Sequence, residues 1–356
     1  MTRNPESLIV RAPNWLGDCI MALPAMRAFH ERLPEIPVDV ICRPAVADLF
    51  SLVPFVREVI VVPRARGIRQ NLQKFSLLKS LALRRYDAAV LLPNSISSAI
   101  EMKIVHPHRA FGFRADARSL LISDAIPRPA WEESAHLSSY YLEVFNAAMG
   151  IPPSGSPPVC DVSPLALKFP KKDIDEATRL LRSIGVLGEY ATMATGTAYG
   201  PTRQWSVESY SELARELARR WGIAVLLMGA KSDRPHAFAV SQASGDLAKN
   251  ICGDTTLSTA GVILRGARAF IGNDSGLSHY SALVGCPTVT LYLSTDPVRT
   301  GALGKRVAQL IADVPCRPCF AKESRYNYRC RSAITVDDAL EAMETVILRH
   351  SEQEVS

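Results

Sequence analysis

The sequence predicts an α/β fold: two doubly wound domains, each a mainly parallel sheet flanked by helices, facing a central cleft. Three observations lead there. Short β-branched and aliphatic runs alternate with amphipathic stretches along the whole chain, the rhythm of parallel strands joined by crossover helices. A segment rich in proline and glycine interrupts that rhythm near the middle, as a linker does. The 356 residues, 47% apolar and 21% charged, suffice for about two globular domains and exclude a disordered, collagen-like or disulfide-scaffold chain.

In chain order, Leu8 to Arg11, Val38 to Cys42, Val59 to Val62 and Asp87 to Leu92 read as strands. Helical patterns lie between them, as over Asn71 to Arg84, and a helix from His136 to Met149 closes the first half. Pro24 cannot sit easily inside a helix, so the helix after the first strand is expected to be short or to restart there. The linker follows: from Gly150 to Pro158 the chain holds four prolines and two glycines. The alternation restarts with a helix at Lys172 to Ile184, a strand at Ala191 to Ala194, a helix at Val207 to Trp221 and a strand at Ile223 to Met228. A helix at Leu257 to Gly266, a strand at Ala269 to Gly272, a helix at Gly276 to Val284 and a strand at Thr288 to Leu293 complete it. The last helix, Val336 to Arg349, carries an apolar stripe of Ala339, Leu340, Met343, Val346 and Ile347, and is expected to cross back to the first domain. The expected division is thus a first domain over 1–150, a linker over 151–171, a second domain over 172–334 and a terminal helix over 335–356.

Apolar runs such as Ala88 to Leu92 and Pro287 to Leu293 fall far short of the ~18 to 20 residues that cross a bilayer. The start of the chain has no long apolar stretch of the kind that directs export, so a cytoplasmic location is expected. Forty-one Lys and Arg against 35 Asp and Glu give a formal charge of +6, which permits an anionic partner without naming one. The excess is local: between Arg57 and Arg85 stand eight basic residues and one acid, Glu58. That stretch reads either as a solvated helix face or as a positive surface. Of eight cysteines only Cys316, Cys319 and Cys330 cluster; with no second Cys-x-x-Cys and no adjacent histidine, a reduced loop is the better reading than a zinc site.

Ligands bind beyond the carboxyl ends of strands in doubly wound sheets, so the loops there carry the functional expectations. The first strand runs into Pro13-Asn14-Trp15-Leu16-Gly17-Asp18, which makes Asp18 a helix N-cap, a general base, or both. Strand Ala191 to Ala194 ends in a loop from Thr195 to Trp205 that contains Gly196, Gly200 and Arg203. Glycines let a ligand approach the backbone, and the guanidinium fork suits phosphate. The loop is neither a Walker A sequence nor Gly-x-Gly-x-x-Gly. Strand Ala269 to Gly272 leads into Asn273-Asp274-Ser275-Gly276-Leu277-Ser278-His279. Ser275 and Gly276 open a helix there and make an anion site. Asp274 would repel phosphate and better suits sugar hydroxyls, and His279 reads as a phosphate ligand or a structural residue.

Together Leu16-Gly17-Asp18, the Gly-Pro-x-Arg-x-Trp segment at Gly200 to Trp205, and Asn273-Asp274-Ser275-Gly276-Leu277-x-His279 resemble glycosyltransferase family 9, the ADP-heptose lipopolysaccharide heptosyltransferases. The resemblance runs from about Leu8 to Met343 with the motifs in the family's order. Leu92-Pro93-Asn94-Ser95, His108-Arg109 and Gly112-Phe113-Arg114 look most like the branch that adds the second heptose.

The resemblance implies a GT-B fold of two Rossmann-like domains and an inverting, metal-independent transfer from ADP-L-glycero-D-manno-heptose to the lipopolysaccharide inner core. No cofactor is implied, since ADP-heptose is a co-substrate. Asp18 would be the general base and Arg203, where the family commonly has lysine, would stabilise the leaving diphosphate. The donor would be held by Thr197, Ala198, Tyr199, Asp233, Thr255, Asp274, Ser275, Gly276 and His279; at Asp233 the family more often has glutamate. The acceptor, anionic through Kdo carboxylates and lipid A phosphates, would meet Asn94, Ser95, Arg64, Arg66, Arg69 and Arg114. Peripheral contact with the cytoplasmic surface of the inner membrane follows, and no nucleic acid is expected. Asp173-Ile174-Asp175 has the spacing of a metal motif but opens a helix, where it reads as a dipole partner. The alternatives are a heptosyltransferase of another core position, another family 9 enzyme, or a non-catalytic nucleotide-binding protein at the membrane surface. A dehydrogenase lacks its glycine fingerprint.

Overall fold

The computed structural model describes residues 5–153 and 155–354. It divides into two compact units, Met1–Asp161 and Val162–Ser356, the division falling inside the expected linker, just after the proline-rich segment. In the first unit the order is β1 (Leu8–Arg11), α1 (Leu16–Arg32), β2 (Val38–Cys42), α2 (Ala47–Ser51), β3 (Val56–Val61), α3 (Gly67–Ala82), β4 (Ala88–Leu91), α4 (Ile96–Val105), β5 (Arg109–Phe113), β6 (Asp124–Ile126) and α5 (Leu137–Ala148). The six strands form one sheet in the order β3-β2-β1-β4-β5-β6, parallel throughout. Central β1 sets the register, Leu8 lying opposite Val38 on one side and Ala88 on the other. Every residue of β1, β2 and β4 is buried, and that is why they read as mainly apolar runs; the charged exceptions, Arg11 and Asp39, are ion-paired to Glu101 and Arg57.

Helix α1 departs from expectation. It runs through Pro24 without interruption, although proline removes a helical hydrogen bond and crowds the preceding turn. Packing holds it: Cys19, Ile20, Met21, Ala22, Leu23, Ala25, Met26 and Phe29 are all buried along it, and its main neighbour is α5.

The second unit continues with α6 (Lys171–Ser183), β7 (Tyr190–Ala194), α7 (Val207–Trp221), β8 (Ala224–Leu227), α8 (Arg234–Ala243), β9 (Ala248–Asn250), α9 (Leu257–Gly266), β10 (Ala269–Asn273), α10 (Gly276–Leu283), β11 (Thr288–Tyr292), α11 (Pro297–Thr300), β12 (Val307–Ile311) and α12 (Val336–Glu354). Its sheet, β12-β11-β10-β7-β8-β9, is also parallel and repeats the strand order of the first. Trp205, Tyr210, Leu213 and Leu217 join the strands in its core. Helix α12 packs on α7, β10, β11 and β12, with Ala339, Leu340, Met343 and Val346 in that same core. The expected crossing to the first domain is therefore replaced by a place in the second unit, whose sheet face supplies the apolar partner the stripe needs.

In each sheet the strand order reverses between two neighbours, β1 and β4 in the first, β7 and β10 in the second. Connections leave such a pair in opposite directions and open a crevice at the carboxyl ends of the strands, the usual ligand position in this architecture.

Candidate active site

The loops after β1 and β4 flank the reversal point of the first sheet. Trp15, not Asp18, occupies the N-cap of α1, and its side chain makes no capping bond. Asp18 lies in the first helical turn, so the N-cap reading does not hold. Its carboxyl is part-buried, and burial raises its pKa from the usual carboxylate range to about 6, since desolvation penalises the charged form.

Beyond β4, the Oδ1 of Asn94 accepts from Arg118 Nη1 at 2.7 Å and its Nδ2 donates to the Tyr140 hydroxyl at 2.8 Å. Ser95 caps α4, its Oγ accepting from the Ser98 amide at 3.3 Å. Both side chains are thus engaged within the unit. Arg118, which the sequence reading missed, is fully buried and packs over Gly112, where an added Cβ would come within 2.7 Å of its Nη2. Its Nε and Nη2 have no hydrogen-bond partner, and burial lowers its pKa. An unspaced arginine in a loop has no sequence signal that separates it from a surface residue.

A second group missed from sequence sits beside this edge. Glu101 of α4, fully buried, accepts from Arg11 Nε at 2.6 Å, Lys74 Nζ at 2.6 Å and Arg43 Nη2 at 3.1 Å. Burial opposes its ionisation, but the three cations outweigh it and hold the carboxyl below its ordinary range. Three cations on one carboxylate leave a local positive surplus. Arg64, Arg66 and Arg69 are exposed at the start of α3, and Arg114 is exposed after β5, its Nε donating to the Ala125 carbonyl at 3.2 Å.

At the reversal point of the second sheet, Asn273 ties the two loops together. Its Oδ1 accepts from the Trp205 amide and the Tyr210 hydroxyl, each at 3.0 Å, and its Nδ2 donates to the Thr195 carbonyl at 3.0 Å. Arg203 Nη1 reaches Asp274 Oδ2 at 3.0 Å, which also accepts from Thr295 Oγ1 at 2.8 Å. Burial raises the pKa of Asp274, and Arg203 and Thr295 oppose the shift. The Arg203 guanidinium lies 4.3 Å over the Tyr199 ring, and the Tyr199 hydroxyl donates to the Phe320 carbonyl at 2.6 Å. Ser275 stands at the N-cap of α10 without a side-chain cap bond, and Gly276 is the first helical residue. The amides at the helix start thus have no side-chain cap, an arrangement that suits an anion. His279 is buried on the first turn.

Asp233 belongs to the same edge. Its Oδ2 accepts from the Ala230 amide at 2.8 Å, and a Cβ on Gly229 would come within 2.7 Å of that oxygen. Its carboxylate also lies against Gly196, so both glycines are required by close approach. Thr197 accepts from the Tyr199 amide at 3.3 Å, Ala198 is exposed, and Thr255 is part-buried ahead of α9.

The cysteine-bearing loop packs on this region. Arg331 donates to the carbonyls of Gln204 and Pro201 at 3.0 Å each, and Thr202 Oγ1 donates to the Ala321 carbonyl. Cys316, Cys319 and Cys330 line a cavity of about 430 Å³ behind it; all three are free thiols. Among the described residues no group of three His, Cys, Asp or Glu side chains is placed to hold a metal ion. Asp173 instead accepts from Ser258 Oγ at 2.7 Å, joining α6 to α9. No helix among the described residues is long and apolar enough to cross a membrane.

Two parallel six-stranded sheets of identical strand order, with glycine and helix-start loops at the second reversal point, are the architecture of the GT-B fold. The chain belongs to glycosyltransferase family 9 (heptosyltransferase), whose sequence pattern matches residues 74–329. It is 30% identical to lipopolysaccharide heptosyltransferase 2 of Salmonella typhimurium over 85% of this chain and 88% of that one. It is 28% identical to lipooligosaccharide heptosyltransferase 2 of Haemophilus influenzae over 84% of this chain and 87% of that one. Among solved structures it is similar to ADP-heptose LPS heptosyltransferase II of E. coli, with a TM-score of 0.77 and 23% identity over 97% of this chain and 99% of that chain. The family resemblance read from the three motifs is borne out.

Proposed function

We propose that this enzyme transfers heptose from ADP-L-glycero-D-manno-heptose to a heptose of the lipopolysaccharide inner core, inverting the anomeric centre without a metal ion. Similarity to heptosyltransferase 2 proteins across most of both chains supports the donor and the acceptor. One observation carries the chemistry: a part-buried carboxyl, Asp18, in the first turn of α1 beyond the carboxyl end of β1, where burial pushes its pKa up to about 6. Such a group is mostly ionised at neutral pH, yet basic enough to take a proton.

Asp18 takes the proton of the acceptor hydroxyl as its oxygen attacks the anomeric carbon on the face opposite the nucleotide. The new C–O bond forms as the bond from C1 to the β-phosphate oxygen breaks, and ADP leaves with the electron pair. Arg203 and the amides at the start of α10, with Ser275 and Gly276, stabilise the charge that develops on the diphosphate. Asp274 accepts from heptose hydroxyls, fixed in place by Arg203 and Thr295. Thr197, Ala198, Tyr199 and His279 line the phosphates, Asp233 meets the ribose, and Thr255 borders the adenine. In the first unit Arg64, Arg66, Arg69 and Arg114 receive the anionic acceptor. Asn94 and Ser95, whose side chains are engaged, shape that loop and offer backbone.

The test is ADP release from ADP-heptose with two acceptors, lipid A bearing Kdo alone and lipid A bearing Kdo plus one heptose. Release only with the heptosylated acceptor is expected. Release only with the Kdo acceptor would keep the transferase and move it to the first core position, and silence with both would overturn the reading.

A further inference from the structure

Helix α3 is little buried. Of its 16 residues only Leu78 and Leu81 are buried, whereas Ile68, Leu72 and Phe75 are 82%, 64% and 48% exposed. Spacings of four and three put these three residues on one helical face, and Lys79 continues the row. Leu78 and Leu81, which anchor the helix to the core, lie on a different face. Helix α4 packs beside α3 and exposes Ile96 and Ile100, again four apart. Single exposed apolar residues need no explanation, but an ordered row does.

Charge identifies what the row meets. Of the eight basic residues between Arg57 and Arg85, three are committed: Arg57 to Asp39, Arg84 to Glu58 and Lys74 to Glu101. Arg64, Arg66, Arg69, Lys79 and Arg85 are exposed, on and around the apolar row. Apolar side chains flanked by uncommitted cations are the composition of a helix that lies in a bilayer interface, where basic residues are drawn to anionic headgroups. A purely apolar partner surface would leave those cations without counter-charge.

We propose that the Ile68, Leu72 and Phe75 face of α3, with the basic residues around it, is a membrane-docking surface that inserts its apolar row among the headgroups of an anionic bilayer. The inference rests on the proposed lipid-anchored acceptor for its purpose, since docking would hold the first unit at the surface where that acceptor is embedded. The binding itself is measured without donor or acceptor.

The protein and the variant Ile68→Ser, Leu72→Ser, Phe75→Ser are sedimented with phosphatidylcholine vesicles, with and without phosphatidylglycerol. The unaltered chain should bind the anionic vesicles, and the variant should bind them about tenfold or more weakly while keeping its thermal transition and its turnover of a deacylated, water-soluble acceptor. Independently, the Phe75→Trp variant should shift its emission to the blue when anionic vesicles are added. Failure of the unaltered chain to bind, equal binding by the triple variant, or an unmoved emission spectrum of the Phe75→Trp variant would each overturn the proposal. So would concentration-dependent self-association that the triple variant abolishes, which would make a second copy the occupant. Vesicle binding without any heptose transfer would sink the enzymatic reading and leave this one standing.

Discussion

Asp18 is where the chemistry can be tested most directly. Burial lifts its pKa to about 6, and a base acts only when ionised. As pH falls through about 6 the base is protonated, so kcat/KM should fall with a limiting slope of one on the acid side and be level above it; a profile flat down to pH ~5 would remove Asp18 from the role. Asp18→Asn should lower kcat about 10²- to 10⁴-fold while ADP binding by calorimetry stays within error. Arg203→Ala should lower kcat by about 10²- to 10³-fold. Arg203→Lys should recover part of that loss, because the charge returns without the planar guanidinium that now meets Asp274 through Nη1 and stacks on Tyr199. Asp18 and Arg203 could be proposed from sequence because each stands in a short motif beside a recognisable strand. Arg118 and Glu101 were not: what sets them apart is burial and partners supplied by elements far away in sequence.

Single elements transmit these positions to the site. Asn273 closes β10 and is the polar link to the loop after β7. Asn273→Ala orphans the Trp205 amide and the Thr195 carbonyl in a dry environment and should cost about 2 to 4 kcal/mol in denaturant unfolding. It should also weaken ADP binding, because the two loops lose an anchor they share; unchanged stability and affinity would show that the Arg203–Asp274 pair and the backbone hold them without it. Strands such as β1, β2, β7 and β11 could be read from sequence because both faces are covered and most of their residues are apolar. Strands β5, β6 and β12 could not. β5 and β6 carry Arg109 and Asp124, which pair across the sheet at 2.6 Å, and β12 is an edge strand with no fully buried residue. Their polarity follows from neighbours that the local pattern does not contain. The continuity of α1 through Pro24 has the same origin, a tertiary face overriding a local preference.

At the scale of the molecule, the proposed mechanism meets the donor charges with protein groups placed beforehand: Arg203, the start of α10 and the loop amides. Transfer should therefore proceed in excess EDTA at the rate seen with Mg²⁺, and a rate that returns only with added divalent ion would overturn the metal-independent part of the mechanism. The two-domain architecture was legible from the alternation of patterns and its interruption after Gly150, while the destination of the last helix was not, because a stripe of Ala339, Leu340, Met343 and Val346 says only that some apolar surface must cover it. That destination has a consequence for how the protein is made. The first unit has all its strands once residue 126 has been synthesised and its last helix by residue 148, so it can fold while the rest is still being translated. The second unit cannot complete its core until Val346 has emerged, because α12 covers β10, β11 and β12. A ribosome that stalls or shifts frame between residues 311 and 336 thus releases a finished first half joined to a second sheet whose apolar face lacks its covering helix, a product that proteases would recognise.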